Sequence, residues 1–339
     1  MIDDLPPLVP IEDFWLRQAN AQRYSFECAP YGIPTEITAN QPDVLEAARL
    51  SVQRYSTAAE PAGLAARIQI VVRPGRVVPL PEDLEGLLTY TGLGEWITLS
   101  AGAWGYGFAN LRMRTAVVVL SPSLATDTRF VSRYFIDHYV LNFALTEWAM
   151  LHASCVLDAA GRNLVIMVAT HNTGKSTTAL RLARAGFRFL ADGMAVLKSD
   201  PQGFIAGGYP IGEVKLRQDV LAWFPEYTGE TVCVREQQKT ILNLRAAHPE
   251  QVVESLVKPV SIHVCFVERH ALSRTDVSEV ELPEAARIIA ANTAFWNEAS
   301  QVRHNSAILN HLLQTASLHR LHLGDDADLL VRAFDRLVR

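Results

Sequence analysis

The sequence predicts an α/β fold in its second half, preceded by an α+β region, and three observations predict it. Residues 164–169 (LVIMVA) are a fully apolar run of strand length. A short polar loop follows, then an amphipathic stretch at 177–185. Residues 259–268 (PVSIHVCFVE) are a second strong strand pattern, and strand and helix signals between the two runs follow the order that builds an α/β sheet. The first 125 residues instead carry short strand patterns around one helical segment.

In chain order, residues 24–28 and 34–38 read as short strands. Residues 43–55 read as a helix, because Val44, Leu45, Ala48, Val52 and Tyr55 share one face at helical spacing. Residues 67–72 (RIQIVV) alternate as a half-buried strand does. Strands are expected at 96–100 and 111–120, joined by the glycine- and aromatic-rich turn GAWGYGFAN. From 127 to 152 apolar residues recur at helical spacing, predicting one long helix that packs between the halves, so the boundary is placed near 122–126. Two domains follow, 1–125 and 126–339, with 127–152 as the connecting helix. Next come a strand at 154–157, the apolar strand, its loop and its helix, which ends at Gly186. Residues 187–190 and 194–197 read as strand around Ala191-Asp192-Gly193. Residues 283–313 and 325–337 read mainly as helix.

Composition excludes several functions. At roughly 100–200 residues per domain, 339 residues make about two domains. The formal net charge of −5 lacks the basic excess of a duplex-binding protein or a polybasic membrane patch. No apolar run approaches the ~18–20 residues that span a bilayer, and the acidic, proline-rich start does not read as a secretory signal. Cys28, Cys155, Cys233 and Cys265 show no CxxC spacing. They read as reduced and mostly buried thiols of a cytoplasmic protein rather than as zinc ligands. Neither GxSxG nor HExxH is present. Only Lys175, Lys198, Lys215, Lys239 and Lys258 among the 31 basic residues are lysines, all in the second half. Where arginine is the default cation, a lysine can mark a position whose chemistry requires it.

The chemistry-bearing segment is Ala169-Thr170-His171-Asn172-Thr173-Gly174-Lys175-Ser176, followed by Thr177. It matches G-x-x-x-x-G-K-[ST] except at its first position. In such a loop, inward-turned amides and the following helix N-terminus make a concave anion site. Gly174 permits close approach, Lys175 supplies a point charge for β- and γ-phosphates, and the Ser176 hydroxyl is a Mg²⁺ ligand. Ala169 is tolerated if its φ is negative, and Asn172 suits a left-handed turn better than most residues. Nucleotide binding is therefore expected over Ala169–Thr177.

With His152 lying 17 residues before the loop and Asp192 17 after Lys175, residues 151–197 resemble the catalytic domain of HPr kinase/phosphorylase. That bacterial serine kinase is related to ATP-dependent phosphoenolpyruvate carboxykinases. The stretch Ala185-Gly186-Phe187-Arg188-Phe189-Leu190-Ala191-Asp192 follows the family's register. The sequence departs from the family where its Asp-Asp pair becomes Asp192-Gly193 and its loop Gly-Asp-Ser-Gly becomes Ala169-Thr170-His171-Asn172. The later Glu-x-Arg-Gly signature is absent, and the first ~150 residues do not look like the family's regulatory domain. The resemblance implies a kinase domain of the HPr kinase/phosphoenolpyruvate carboxykinase type using ATP and Mg²⁺. Its acceptor would be a hydroxyl on a protein, a peptide or a small molecule, recognised with help from the N-terminal region. It also implies that homo-oligomers can form.

Phosphoryl transfer needs positioning, charge neutralisation and a base. Lys175 and the loop serve the first two. Ser176 and Asp192 are the expected Mg²⁺ ligands, and either Asp192 or His152 is the base, an imidazole's ordinary pKa of about 6.5 being near working pH. His171 would add charge near the phosphates. Each also has a structural role open to it: His152 as a core histidine, Asp192 as a turn residue, His171 as an exposed loop residue. Lys215, in 207–217, fits either a phosphate or acceptor contact or the solvated face of a strand, and Lys239, in 235–239, fits either a basic arm on phosphate or a solvated loop. Three functions are compatible with this: a hydroxyl kinase, a nucleotide-binding regulatory or scaffold protein without turnover, and a phosphorylase or phosphatase.

Overall fold

In the computed structural model, residues 24–58, 65–75, 77–170, 172–234, 237–269, 275–293 and 299–339 are described. They form a mixed α/β protein with two large mixed sheets. The chain divides into two compact units. The first holds most of the described chain up to Phe143. The second holds Pro30–Gly32, the described part of 53–61 and the described residues after Phe143. Among the described residues no helix is long and apolar enough to cross a membrane.

In the first unit, β1 (Tyr24–Cys28), β2 (Thr35–Ala39), α1 (Asp43–Val52), β3 (Ala66–Val72), β4 (Thr89–Leu93), β5 (Trp96–Ser100), β6 (Gly105–Asn110), β7 (Thr115–Leu120) and α2 (Asp137–Ala144) follow in order. The sheet order is β1-β2-β3-β7-β6-β5-β4, with β2, β3 and β7 parallel. Helix α1 buries Val44, Leu45, Ala47 and Ala48, the stripe expected from spacing. Ser51 Oγ donates to Asp137 Oδ1 at 2.6 Å, tying α1 to α2. The segment expected as a plain turn contains strand β6. Its glycines are packing residues: a Cβ on Gly107 would come within 2.5 Å of the Tyr139 hydroxyl.

In the second unit, β8 (Ala149–Leu157), β9 (Asn163–Val168), α3 (Lys175–Arg184), β10 (Arg188–Asp200), β11 (Gly203–Tyr209), β12 (Glu213–Arg217), β13 (Gly229–Val234), β14 (Gln237–Asn243), β15 (Ser261–Arg269), β16 (Asp276–Glu279), α4 (Leu282–Ala291), α5 (Ala299–Thr315), β17 (Ser317–Leu323) and α6 (Ala327–Leu337) follow. The large sheet runs β11-β10-β8-β9-β15-β17-β16. Strands β9, β15 and β17 are parallel at its centre. A small sheet, β12-β14-β13, stands apart from it.

The helix expected over 127–152 ends at Ala144, and Ala149–Leu157 is a strand. Every residue of that strand but His152 is buried. A central strand covered on both faces shows no alternation, so periodicity alone does not separate it from a buried helix. His152 therefore sits on a sheet rather than at a helix end. The two pieces read as strand around Asp192 are one strand, β10, with a bulge between Phe189 and Ala191.

Candidate functional site

A cleft of about 610 Å³ opens where β9, β15 and β17 end, bounded by the 172–178 segment, Arg269 and Leu323–Asp325. Open α/β sheets expose ligand sites at these carboxyl ends, because the loops there diverge and helix N-termini point inward. The 169–174 loop leaves buried β9 and enters α3. Asn172 takes φ 64° and Gly174 φ 103°, so both left-handed turns fall on residues suited to them. A side chain at Gly174 would also press on Leu323 Cδ1 at 3.1 Å. Thr173 Oγ1 donates to the Thr170 carbonyl at 2.5 Å and closes the turn. Ala169 is absent from the positive-φ residues, which is why its methyl group is accommodated. His171 lies outside the described residues.

Lys175 opens α3, 8% exposed. Its ammonium donates to the carbonyls of Ala169 at 2.7 Å and Thr170 at 3.1 Å, and so is held at the loop. Burial lowers its pKa, Asp192 opposes that, and Lys239 adds to it.

Asp192 lies mid-strand in β10. Its Oδ1 accepts from Ser154 Oγ at 2.5 Å and from Ser176 Oγ at 2.8 Å, and its Oδ2 from the Lys215 amide at 3.3 Å. Register pairs Asp192 with Ser154 and Met194 with His152, so these four side chains share one face of the sheet. All four line the cleft. One carboxylate with two hydroxyls is a hard-oxygen set too small for an all-protein cage. It suits Mg²⁺, which keeps waters and shares its shell with phosphates. Among the described residues no cluster of three or more His, Cys, Asp or Glu could hold a metal.

Position 193 has no room for a second acid. A Cβ on Gly193 would meet the Tyr209 carbonyl at 2.9 Å and Pro210 Cδ at 3.1 Å. Gly193→Asp is therefore expected to lower stability by about 1–3 kcal/mol through overpacking, read as a lower denaturation midpoint, without improving any Mg²⁺-dependent activity.

Six cationic side chains line the cleft against three carboxylates. Three of the chain's five lysines are among them: Lys175, Lys215 and Lys239. The other two are paired elsewhere, Lys198 with Glu147 at 2.5 Å and Lys258 with Asp200 at 3.0 Å. Arg217 and Lys239 stand opposite each other across β12 and β14. Like charges in that position repel, and the Arg217 guanidinium is offset by its pair with Asp219, its Nε donating to Asp219 Oδ1 at 2.9 Å. Lys239, which the sequence left open as a loop residue, is a strand residue of the cleft wall.

Sequence reasoning missed Ser154, Arg181, Trp223, Arg269 and Asp325, all of which line the cleft. No motif marks them, because strand register and chain return bring them in.

No protein-family model and no curated protein matches the chain. Among solved structures, the HPr(Ser) kinase/phosphatase from Coxiella burnetii is similar at 11% identity. The match covers 56% of this chain and 96% of that one, with a TM-score of 0.27. The likeness is distant and purely structural.

Proposed function

We propose that the chain is an ATP-dependent phosphotransferase moving the γ-phosphoryl group to a hydroxyl acceptor, on a protein or peptide serine or on a small molecule. The observation that carries this reading is the contact of Ser176 Oγ with Asp192 Oδ1 at 2.8 Å. It lies in a cleft that Lys175 and five other cations line. The loop amides and Lys175 bind the β- and γ-phosphates. Lys215 and Lys239 approach the transferred group from the small sheet. Ser176 and Asp192 would hold Mg²⁺, which when bound neutralises phosphate charge. His152, on the sheet face of Asp192, takes the acceptor's proton as its oxygen attacks the γ-phosphorus. The bond to the β-phosphate breaks, and Lys175 compensates the charge left on ADP.

His152→Ala is expected to lower kcat by about 10²–10⁴ with unchanged Mg-ATP affinity, and to abolish the acid limb of the pH–rate profile. An unchanged acid limb would move the proton to Asp192. The reading as a whole is tested by titrating Mg-ATP calorimetrically and measuring ADP release with water, seryl peptides and small alcohols. Saturable binding with ADP release supports it, and absence of binding overturns it. A second reading, a nucleotide-binding regulatory protein without turnover, is favoured by the blocked position 193. Saturable binding with no ADP release across these acceptors would select it.

A further inference from the structure

Trp223 is a large apolar residue left 46% exposed, and it lines the cleft. It is fixed in place rather than pendant. Its amide donates to the Val220 carbonyl at 3.0 Å, and its own carbonyl accepts from Arg184 Nη1 at 3.0 Å. The Arg181 guanidinium lies 4.8 Å from the centre of its indole ring. Both Arg184 and Arg181 belong to α3, so the ring is moored to the helix that opens with Lys175.

Position on that helix gives the pair its meaning. Thr177 and Arg181 are four residues apart, hence on one face, and both line the cleft. Arg181 is six residues beyond Lys175, about 9 Å along the axis at 1.5 Å per residue. That is the reach of an α-phosphate and a ribose from a β-phosphate held at Lys175. Asp325 also lines the cleft, where it interacts electrostatically with Arg181 and lies 4.0 Å from Arg269 Nη2. The cleft thus holds the amide-rich loop with Lys175 and, further along α3, a flat aromatic ring with the guanidinium groups of Arg181 and Arg269 and the Asp325 carboxylate.

We propose that Trp223 and Arg181 form the nucleobase subsite of the cleft, with the base stacked on the indole face that the Arg181 guanidinium leaves uncovered and the guanidinium backing the ring from the other side. The proposal rests on the nucleotide-binding reading above and adds the part of the ligand that the phosphate loop does not address. Stacking on an aromatic ring tolerates any base, since every base has a π-face. Adenine and guanine nucleotides should therefore bind with similar affinity, and inorganic tripolyphosphate more weakly than either.

The test separates base from phosphate. Mg-ATP, Mg-GTP and Mg-tripolyphosphate are titrated calorimetrically against the full chain, Trp223→Ala, Trp223→Phe and Arg181→Ala. Circular dichroism spectra and melting curves check folding. Trp223→Ala is expected to weaken ATP and GTP about tenfold, equivalent to ~1.4 kcal/mol, and to leave tripolyphosphate unchanged. Trp223→Phe should recover most of the loss, and Arg181→Ala should weaken the nucleotides by a smaller factor. Unchanged nucleotide affinity in Trp223→Ala overturns the proposal. So does equal weakening of tripolyphosphate, which would make the ring a structural prop. If the unmodified chain binds tripolyphosphate as tightly as ATP, the base contributes nothing: the subsite falls while the phosphate loop stands. If it binds none of the three, the nucleotide reading fails and the subsite falls with it.

Discussion

Lys175→Ala is expected to weaken Mg-ATP binding by about two orders of magnitude without lowering the melting temperature. The affinity loss follows from losing a charge-assisted contact to phosphate, with hydrogen bonds to charged groups contributing about 1.5–3 kcal/mol each. The stability expectation follows from burial. Desolvation holds the Lys175 pKa below its ordinary value in the folded protein. At neutral pH the folded state therefore disfavours the ammonium relative to the unfolded chain. The stability this group subtracts is fully present below the folded pKa and is relieved as pH rises through it. Truncation removes that burden, although it also removes donation to the Ala169 and Thr170 carbonyls. Calorimetry and thermal melts at pH 7 check both halves. Retained affinity would remove Lys175 from the phosphate site, and a collapsed melting curve would make it a structural residue.

Asp192→Asn is expected to reduce phosphoryl transfer by about 10²–10³-fold while ATP affinity stays within a few-fold. The substitution keeps shape and one acceptor oxygen for Ser154 and Ser176. It removes the negative charge that the proposed Mg²⁺ site needs and presents an NH₂ group to the Lys215 amide, which now donates to Oδ2 at 3.3 Å. Binding survives because the phosphate contacts belong to the loop and Lys175. Removing one preorganised electrostatic group at a reacting phosphate typically costs this much in kcat. Full activity in the variant would show that Asp192 does not act in transfer. Loss of ATP binding would place it in the ground-state site instead.

Lys175 and Asp192 differ in what marks them in the chain. Lys175 is legible from spacing, because Gly174-Lys175-Ser176 follows an apolar strand and precedes an amphipathic helix, a local arrangement. The left-handed turn at Asn172 was legible for the same reason, since side-chain size and backbone conformation are coupled within one residue. Asp192 was named by register with a resembling family, but its partners were not. Ser154 and the Lys215 amide come from strands 38 and 23 residues away. His152 was named as a candidate base at the end of a helix; it lies instead on strand β8, which is buried on both faces and hides its period. Strand β17 went unread because its histidines and arginine (SLHRLHL) disguise a parallel strand, yet its end forms one wall of the cleft.

What depends on neighbours in the chain was readable before any fold was known: the phosphate-loop motif, its flanking strand and helix, the lack of a membrane-length apolar run, and the concentration of lysines in one stretch. Which of those lysines share a site, that position 193 has no room for a second acid, and that Trp223 and Arg181 line the cleft emerge from the folded chain. Such contacts are fixed by strand pairing and packing between distant segments. One sequence carries propensity and period within a segment, but leaves open which segments meet.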